Sequence, residues 1–187
     1  MELIESIKNR RSIRNFKKEE ISKETVEDIL NCGRLAPSAK NRQNWYFVIL
    51  KNTMKNKVAD FMLEYVKNNE KMEEGKKRNI SSSMKATANV IRQAPILVLI
   101  FREKDDYWIV GDNLSIGACV ENMCLRATDL GVGSLWIRDI VYVANDVARM
   151  LGHQDMELNC AVSLGVSNEN PEQRQRKELK SIIEWYE

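Results

Sequence analysis

Apolar residues recur along this chain at spacings that predict alternating helices and strands. Leu3, Ile4 and Ile7 form the stripe of a short amphipathic helix. A second helix is predicted to begin at Ser22, because serine caps helix N-termini well, and Pro37 should end it. The start of the chain is therefore predicted to be two helices joined by an arginine-containing loop.

Unbroken apolar runs predict the strands. Residues 45–50 should form a largely buried strand, and the Ile, Leu and Val content of residues 95–101 is typical of a central strand covered on both faces. The same patterns predict helices over residues 55–66, 84–91 and 143–151, and strands over residues 134–137 and 158–166.

Residues 108–130 form the longest predicted helix. Two sets of positions repeat every seven residues in it, namely Ile109, Ile116, Met123 and Leu130, and beside them Asn113, Val120 and Ala127. This coiled-coil-like pattern predicts a helix packed between its own core and a partner subunit, although a central helix of a monomer fits the periodicity equally well. Asn113 either fixes the register or makes an ordinary buried hydrogen bond.

Two polar stretches are harder to assign. Residues 67–83 are almost entirely polar, so we expect a mobile, solvent-facing segment that could act as a lid. Residues 170–173 resemble a helix start, whereas residues 174–176 could remain in a loop. Four strands and about six helices without βαβ spacing predict an α+β fold, and the length predicts one domain over residues 1–187.

Charge and composition exclude several classes of protein. The 29 basic and 27 acidic residues leave a formal charge of +2, too weak to predict binding of nucleic acid or an acidic membrane. The longest apolar run, residues 94–101, is far shorter than the roughly 20 residues that span a bilayer. Four cysteines in apolar segments and a single histidine predict reduced thiols in a cytoplasmic protein and no metal site.

Three polar clusters carry the candidate chemistry. Arg10, Arg11, Ser12 and Arg14 offer guanidinium groups and a hydroxyl that suit a phosphate monoester, although arginines at a helix C-terminus also simply complement its dipole. Pro37, Ser38, Ala39 and Asn41, with Gln43, form a turn whose polar groups suit carbonyls and ring nitrogens, or an ordinary loop. Arg174 and Arg176 add cationic donors, or a solvated charged face. Together the clusters predict an anionic, planar ligand.

The order and spacing of these clusters resemble the FMN-dependent nitroreductase family over nearly the whole chain. The resemblance rests on four segments: Arg10-Arg-Ser-Ile-Arg14-Asn-Phe16, Ala36-Pro-Ser-Ala-Lys-Asn-Arg-Gln-Asn-Trp45, Gly131-Val-Gly-Ser-Leu-Trp-Ile137, and Leu164-Gly165 followed by Pro171, Arg174 and Arg176. The resemblance implies a central, mostly antiparallel sheet flanked by helices, and an obligate, intertwined homodimer with two FMN molecules at its interface.

The resemblance also implies a role for each cluster. Arg10, Ser12, Arg174 and Arg176 would hold the phosphate with Arg11 nearby, and Arg14 would lie at the N1 and O2 edge of the flavin. Pro37, Ser38, Ala39 and Asn41 would come from the partner, and Gln43 of the same turn is a further candidate for binding the cofactor. Backbone groups of Trp136, Ile137, Arg138 and Asp139 would meet the N5 and O4 edge. Further flavin contacts are expected between residues 67 and 89.

The implied activity is that of a flavoprotein oxidoreductase. NADH or NADPH would reduce FMN, and a small acceptor such as a nitroaromatic, a quinone or a free flavin would then take two electrons in a ping-pong cycle. The alternatives are a dehalogenase or flavin-cleaving relative, a flavin-binding or redox-sensing protein with little turnover, and a helical dimer without flavin.

The chain departs from the family pattern at two places. Asn44 replaces the usual proline before Trp45, a change that we expect to be harmless because it alters turn stiffness rather than a donor. Arg138 and Asp139 stand where many members carry Gly-Gly or Glu-Gly, so we expect charge to reshape the substrate pocket.

Overall fold

The computed structural model describes residues 1–69 and 78–187. Within them, helices and strands follow one another as α1 (Leu3–Asn9), α2 (Lys23–Arg34), β1 (Tyr46–Leu50), α3 (Asn52–Asn69), α4 (Arg78–Gln93), β2 (Ile96–Glu103), α5 (Ile109–Asp129), β3 (Gly133–Ile137), α6 (Ala144–Leu151) and β4 (Met156–Gly165). Short 3₁₀ helices cover Ala39–Asn41, Asp139–Val143 and Leu179–Ser181. The predicted α+β fold is confirmed.

The four strands form one antiparallel sheet in the order β1-β2-β4-β3. Leu99 of β2 pairs with Val48 of β1 on one side and with Ala161 of β4 on the other. Strand β2 is therefore central, as predicted, and its first seven residues are buried.

Helices cover both faces of this sheet. Leu97 and Phe101 of β2 belong to a core shared with α3, α4 and α6, whereas Val98 and Ile100 belong to a core shared with α2 and α5. Because successive side chains of a strand point to opposite faces, one apolar strand serves two cores. The result is a three-layer arrangement of helices, sheet and helices.

The helix boundaries follow the predicted signals. Ser22 Oγ accepts a hydrogen bond from the Thr25 N–H at 3.1 Å, which caps α2. Gly131 follows α5 with φ of +72°, a left-handed conformation that glycine adopts without steric cost. No helix in the two described ranges has both the length and the apolar character needed to cross a membrane.

The exposure of strand β1 differs from the sequence-based prediction. We expected residues 45–50 to be largely buried, but Tyr46 and Ile49 are exposed. The physical reason is the position of β1 at the edge of the sheet, where the outermost side chains lack a covering layer in the single chain.

Helix α5 shows which heptad positions are buried within the single chain. Ile116, Val120, Met123 and Ala127 are buried against α2 and the sheet, so these positions belong to the chain's own core, and the contact of α5 with a partner stays a prediction. Asn113 is exposed and accepts a hydrogen bond from Asn159 Nδ2 at 2.6 Å. The large apolar residues that α5 exposes are Ile109, which belongs to the heptad pattern, and Val110 and Leu114, which lie outside it.

The two polar stretches also differ from expectation. The proposed lid over residues 67–83 is wrong at both ends, because residues 67–69 complete α3 and residues 78–83 open α4; residues 70–77 lie outside the described residues. Residues 170–176 form no helix, since they lack the apolar stripe that would bury one side of it.

The arginine loop after α1 lies along β3 and passes the end of β4. The Ile13 N–H donates to the Ser134 carbonyl, and the Lys17 N–H donates to the Val166 carbonyl, each at 2.9 Å. Phe16 then packs over Gly165, where a Cβ atom would stand 2.9 Å from the Phe16 ring and 2.5 Å from Pro95 Cδ.

Gly165→Ala should therefore destabilise the protein by about 1–3 kcal/mol, because neither the proline ring nor the buried Phe16 can yield easily. The measurement is the free energy of unfolding in denaturant. Gly117→Ala is the matched control: its Cβ would have ordinary contact, 3.8 Å from Trp136, and alanine is favoured inside a helix by up to about 1 kcal/mol. Equal effects of the two changes would contradict the packing described here.

Candidate functional site

The first and third polar clusters meet in one cavity. Its volume is about 150 Å³, and it is lined by Arg10, Arg11, Ser12, Arg14, Pro171, Glu172, Gln173, Arg174 and Arg176. More than 150 residues separate the two clusters along the chain. The hydrogen bonds that hold the arginine loop beside the end of β4 bring them together. We call this cavity the cationic cradle.

The charge of the cradle is largely uncompensated. Five arginines elsewhere in the described residues have carboxylate partners, namely Arg42, Arg92, Arg102, Arg126 and Arg149. In the described residues, Arg10 pairs with Glu121 at 3.3 Å, but the side chains of Arg14, Arg174 and Arg176 have no carboxylate within 4 Å. Such a concentration of guanidinium groups fits a phosphate group, which accepts several hydrogen bonds at once.

Arg11 has a different role from its neighbours. Its Nη1 donates to the carbonyls of Lys8, at 2.6 Å, and Arg10, at 2.9 Å, so it closes the C-terminus of α1. The helix-dipole interpretation therefore applies to this arginine. Its Nε is buried and has no partner, which leaves one donor unsatisfied at the wall of the cradle.

A second cavity of about 270 Å³ adjoins the cradle, because Arg14 lines both. It contains the predicted residues Trp136, Ile137, Arg138 and Asp139 together with Ser83, Ala86, Thr87, Val90 and Leu135. We call it the ring cavity. Its apolar and polar lining and its connection to the cradle fit a planar ring system that carries a phosphate.

Sequence reasoning placed further contacts between residues 67 and 89 without identifying them. The α4 residues of the ring cavity, Ser83, Ala86, Thr87 and Val90, follow the i, i+3, i+4, i+7 spacing of one helix face. That spacing was a signal that could have found them. Ser83 Oγ donates to Asp139 Oδ2 at 2.5 Å and so connects α4 to the residues after β3.

The second polar cluster lies apart from both cavities. In this chain, residues 37–43 line neither the cradle nor the ring cavity. They pack on α5, where the Ala39 N–H donates to Ser115 Oγ at 3.1 Å. Lys40, Asn41 and Gln43 have φ values of +53°, +55° and +49°, a run of left-handed residues that costs conformational energy and is typical of binding sites.

Asn44 fixes this turn to the rest of the protein. Its Nδ2 donates to Asp112 Oδ2 at 2.5 Å, and its Oδ1 accepts from the Glu103 N–H at 2.9 Å. We expected this departure to be harmless because it would alter turn stiffness rather than a donor; that reason is wrong, since Asn44 contributes a donor and an acceptor that proline lacks, and the harmlessness itself stays a prediction. Asn44 is buried, so its polar groups depend on these two partners.

Asp112 is the centre of a buried charge network. It is 1% exposed, and besides Asn44 it faces Arg42 Nε at 3.2 Å and Arg102 Nη1 at 3.8 Å. Arg102 is fully buried and donates to Glu157 Oε2 at 2.5 Å. The network joins the turn, α5, β2 and β4, so the position of residues 37–43 depends on buried electrostatics.

The cysteine thiols and the single histidine lie in surroundings that indicate structural rather than catalytic roles. Burial raises the pKa of the Cys119 and Cys160 thiols to about 12 and that of Cys124 to about 11, so these thiols are not nucleophiles at neutral pH. His153 lies between the rings of Tyr46 and Phe101, with centroids 5.3 and 5.4 Å away. Within the described ranges, no three His, Cys, Asp or Glu residues cluster as metal ligands would.

The fold and the site define an α+β protein with a cationic cradle beside a second cavity whose shape and lining suit a planar ring. Comparison with known proteins agrees: the model of the nitroreductase family matches residues 7–166. The chain therefore belongs to the nitroreductase family.

Two curated relatives illustrate the range of similar proteins. The chain is 25% identical over 179 residues to YfhC of Bacillus subtilis (strain 168), which carries the name of an NAD(P)H nitroreductase; the match covers 93% of this chain and 89% of YfhC. It is 31% identical over 107 residues to iodotyrosine deiodinase 1 of Mus musculus, which covers 54% of this chain and 37% of that protein.

Two solved structures match from end to end. A BluB-like flavoprotein from Clostridium difficile 630 has 26% identity and a TM-score of 0.88, with both chains covered completely. A nitroreductase with bound FMN from Bacteroides fragilis NCTC 9343 has 27% identity and a TM-score of 0.77, again with complete coverage of both chains.

Asn44→Ala should lower the free energy of unfolding by about 2 kcal/mol or more, because it leaves a buried carboxylate without one of its donors. Chemical denaturation measures this. Asn145→Ala, at an exposed site on α6, is the control and should change stability by less than about 0.5 kcal/mol. If both variants unfolded at the same denaturant concentration, Asn44 would not hold the turn.

Proposed function

We propose that the protein is an FMN-dependent oxidoreductase that takes electrons from NADH or NADPH and passes them to small acceptors in a ping-pong cycle. One observation carries the proposal: a cradle of arginines, of which Arg14, Arg174 and Arg176 have no carboxylate partner in the described residues, adjoins a cavity that suits a planar ring. FMN has these two parts, a phosphate and a flavin ring. Nitroaromatics, quinones and free flavins are the acceptor classes that such a cavity accommodates.

The similar proteins support the proposal. The Bacteroides fragilis nitroreductase binds FMN, and the Bacillus subtilis relative is named for NAD(P)H. In this chain, Arg10, Ser12, Arg174 and Arg176 would bind the phosphate, and the unsatisfied Nε of Arg11 supplies one more donor. The backbone from Trp136 to Asp139 would border the reactive edge of the ring.

Bound FMN would supply the hydride chemistry at its N5 atom, so no side chain needs to act as a nucleophile. The residues of this chain would bind FMN, orient its ring and stabilise the charge that develops on it. The Arg14 guanidinium lies between the cradle and the ring cavity, where its positive charge would stabilise an anionic ring. The apolar side chains of Val90, Leu135 and Ile137 limit access of water to the ring.

We also propose that the active form is a homodimer. The single chain exposes apolar residues that a partner would bury: Leu3, Ile4, Ile7, Leu35, Val110, Leu114 and, in the C-terminal tail, Leu179, Ile182, Ile183, Trp185 and Tyr186. A second copy would also bring residues 37–43 to the flavin, which they do not reach in their own chain. The four free cysteines favour a cytoplasmic location.

Reductive dehalogenation is the second candidate, favoured by the match to iodotyrosine deiodinase over about half of the chain. In such a reaction two electrons and a proton replace a carbon–halogen bond with a carbon–hydrogen bond and release halide. Release of iodide from an iodophenol with NADH as donor would favour this candidate, and reduction of nitroaromatics without iodide release would favour the first.

The purified protein, supplied with FMN, should become yellow, and its visible absorbance should bleach when NADH or NADPH is added without oxygen. Spectrophotometry after gel filtration separates bound from free FMN. Stable binding without bleaching would replace the proposal with a flavin-binding protein of little turnover, and failure to retain FMN would overturn it.

Arg10→Ala and Arg176→Ala should each weaken FMN binding about tenfold or more, because each removes a charge-assisted hydrogen bond to the phosphate. Titration of the apoprotein with FMN, followed by quenching of flavin fluorescence, gives the dissociation constants. Arg149→Ala removes the same charge from an exposed site on α6 and should leave the affinity unchanged. The phosphate assignment would be wrong if neither cradle variant differed from this control.

A further inference from the structure

Arg138 stands at the exposed side of the ring cavity and departs from the family pattern, so it distinguishes this chain within the site. Its guanidinium lies over the ring of Tyr142, with 5.3 Å between Cζ and the ring centroid. Nη1 also donates to Tyr142 Oη at 3.1 Å. The side chain is thereby held in one place by a cation–π contact and a hydrogen bond.

Tyr142, which holds the Arg138 side chain, is itself in contact with a neighbouring ring. Tyr142 is half-buried, and its ring lies 5.6 Å from that of Tyr65 on α3. Because Tyr142 is itself held, the guanidinium loses less conformational freedom when a ligand binds than a free arginine would. Arg138 is therefore preorganised at the cavity.

The hydrogen-bonding capacity of Arg138 is mostly unused. A guanidinium has five N–H donors, and within the described residues the bond to Tyr142 engages one. The neighbouring carboxylate, Asp139, accepts instead from Ser83, and no carboxylate in those residues lies within 4 Å of Arg138. The arginine thus presents a charge without a counter-ion beside an apolar cavity wall that includes Val90 and Ile137.

We infer that Arg138 binds an anionic group, a carboxylate or its equivalent, on the electron acceptor, so that the enzyme prefers planar acceptors that carry such a group. This inference rests on the proposed function and names the substrate class of the same site. The planar guanidinium forms two parallel hydrogen bonds with a carboxylate, whereas a neutral acceptor offers no such partner. The same chemistry is present in the phosphates of the nicotinamide donor, so the test separates the two sources.

The test compares para-nitrobenzoate with the neutral para-nitrobenzamide, which has nearly the same shape. For the FMN-loaded protein, KM should be lower for nitrobenzoate. Arg138→Gln should raise the ratio of KM for nitrobenzoate to KM for nitrobenzamide about tenfold, the effect of losing one charge-assisted contact. Compared with Arg138→Gln, Arg138→Lys should keep part of the preference for nitrobenzoate, because lysine retains the positive charge but cannot form the two parallel hydrogen bonds of a guanidinium. Arg149→Gln is the control for net charge and should leave the ratio unchanged.

A binding measurement supplies a readout without turnover. Benzoate should bind the oxidised, FMN-loaded protein, and calorimetry should show about tenfold weaker binding to Arg138→Gln. An unchanged KM ratio with unchanged benzoate affinity would overturn the inference. So would an increase confined to the KM of NADH or NADPH, which would assign Arg138 to the donor. Bleaching of the flavin by NADH or NADPH in the unmodified protein tests the proposed function separately, so failure of one is distinguishable from failure of the other.

Discussion

Burial of β2 on both of its faces is the constraint on which the rest of the structure depends. A strand with seven buried residues needs a strand on each side and a helical layer on each face, because neither its backbone groups nor its side chains can remain in water. Strands β1 and β4 satisfy the backbone, while α2 with α5, and α3 with α4 and α6, cover the faces. The two cavities lie where this covering ends: the cradle is formed by the loops beside β3 and β4, and the ring cavity lies between β3 and α4.

The cationic cradle is a product of that arrangement. The loop after α1 is not a strand of the sheet, but its backbone donates hydrogen bonds to Ser134 and Val166. These bonds place its arginines beside Arg174 and Arg176. Like charges so close together repel one another, and the stability of the surrounding layers holds them in place. An anion would relieve this repulsion, which is the physical reason for proposing a phosphate at the cradle.

The buried network around Asp112 supports the turn formed by residues 37–43. Three residues of the turn, Lys40, Asn41 and Gln43, adopt left-handed conformations that need support from their surroundings, and Asn44 connects the turn to Asp112 and to β2. The turn is thus held in a place where it lines neither the cradle nor the ring cavity of its own chain. A rigid polar turn among exposed apolar residues, such as Leu35 and Leu114, is the arrangement that a homodimer with shared sites requires.

The sequence by itself determined the element order, the central position of β2, the cap of α2, the termination of α5 by glycine and the identity of the cradle arginines. These features follow from local periodicity, from capping chemistry and from motif order. Only the tertiary structure decided which face of α5 is buried, that β1 is an edge strand, that Ser83 and Thr87 line the ring cavity, and that Asn44 and Asp112 meet. Periodicity identifies an apolar face but not its partner, and a hydrogen bond between residues 68 positions apart leaves no local signal. Such contacts depend on how the layers pack, because only packing brings polar groups that are far apart in the sequence together in the protein interior.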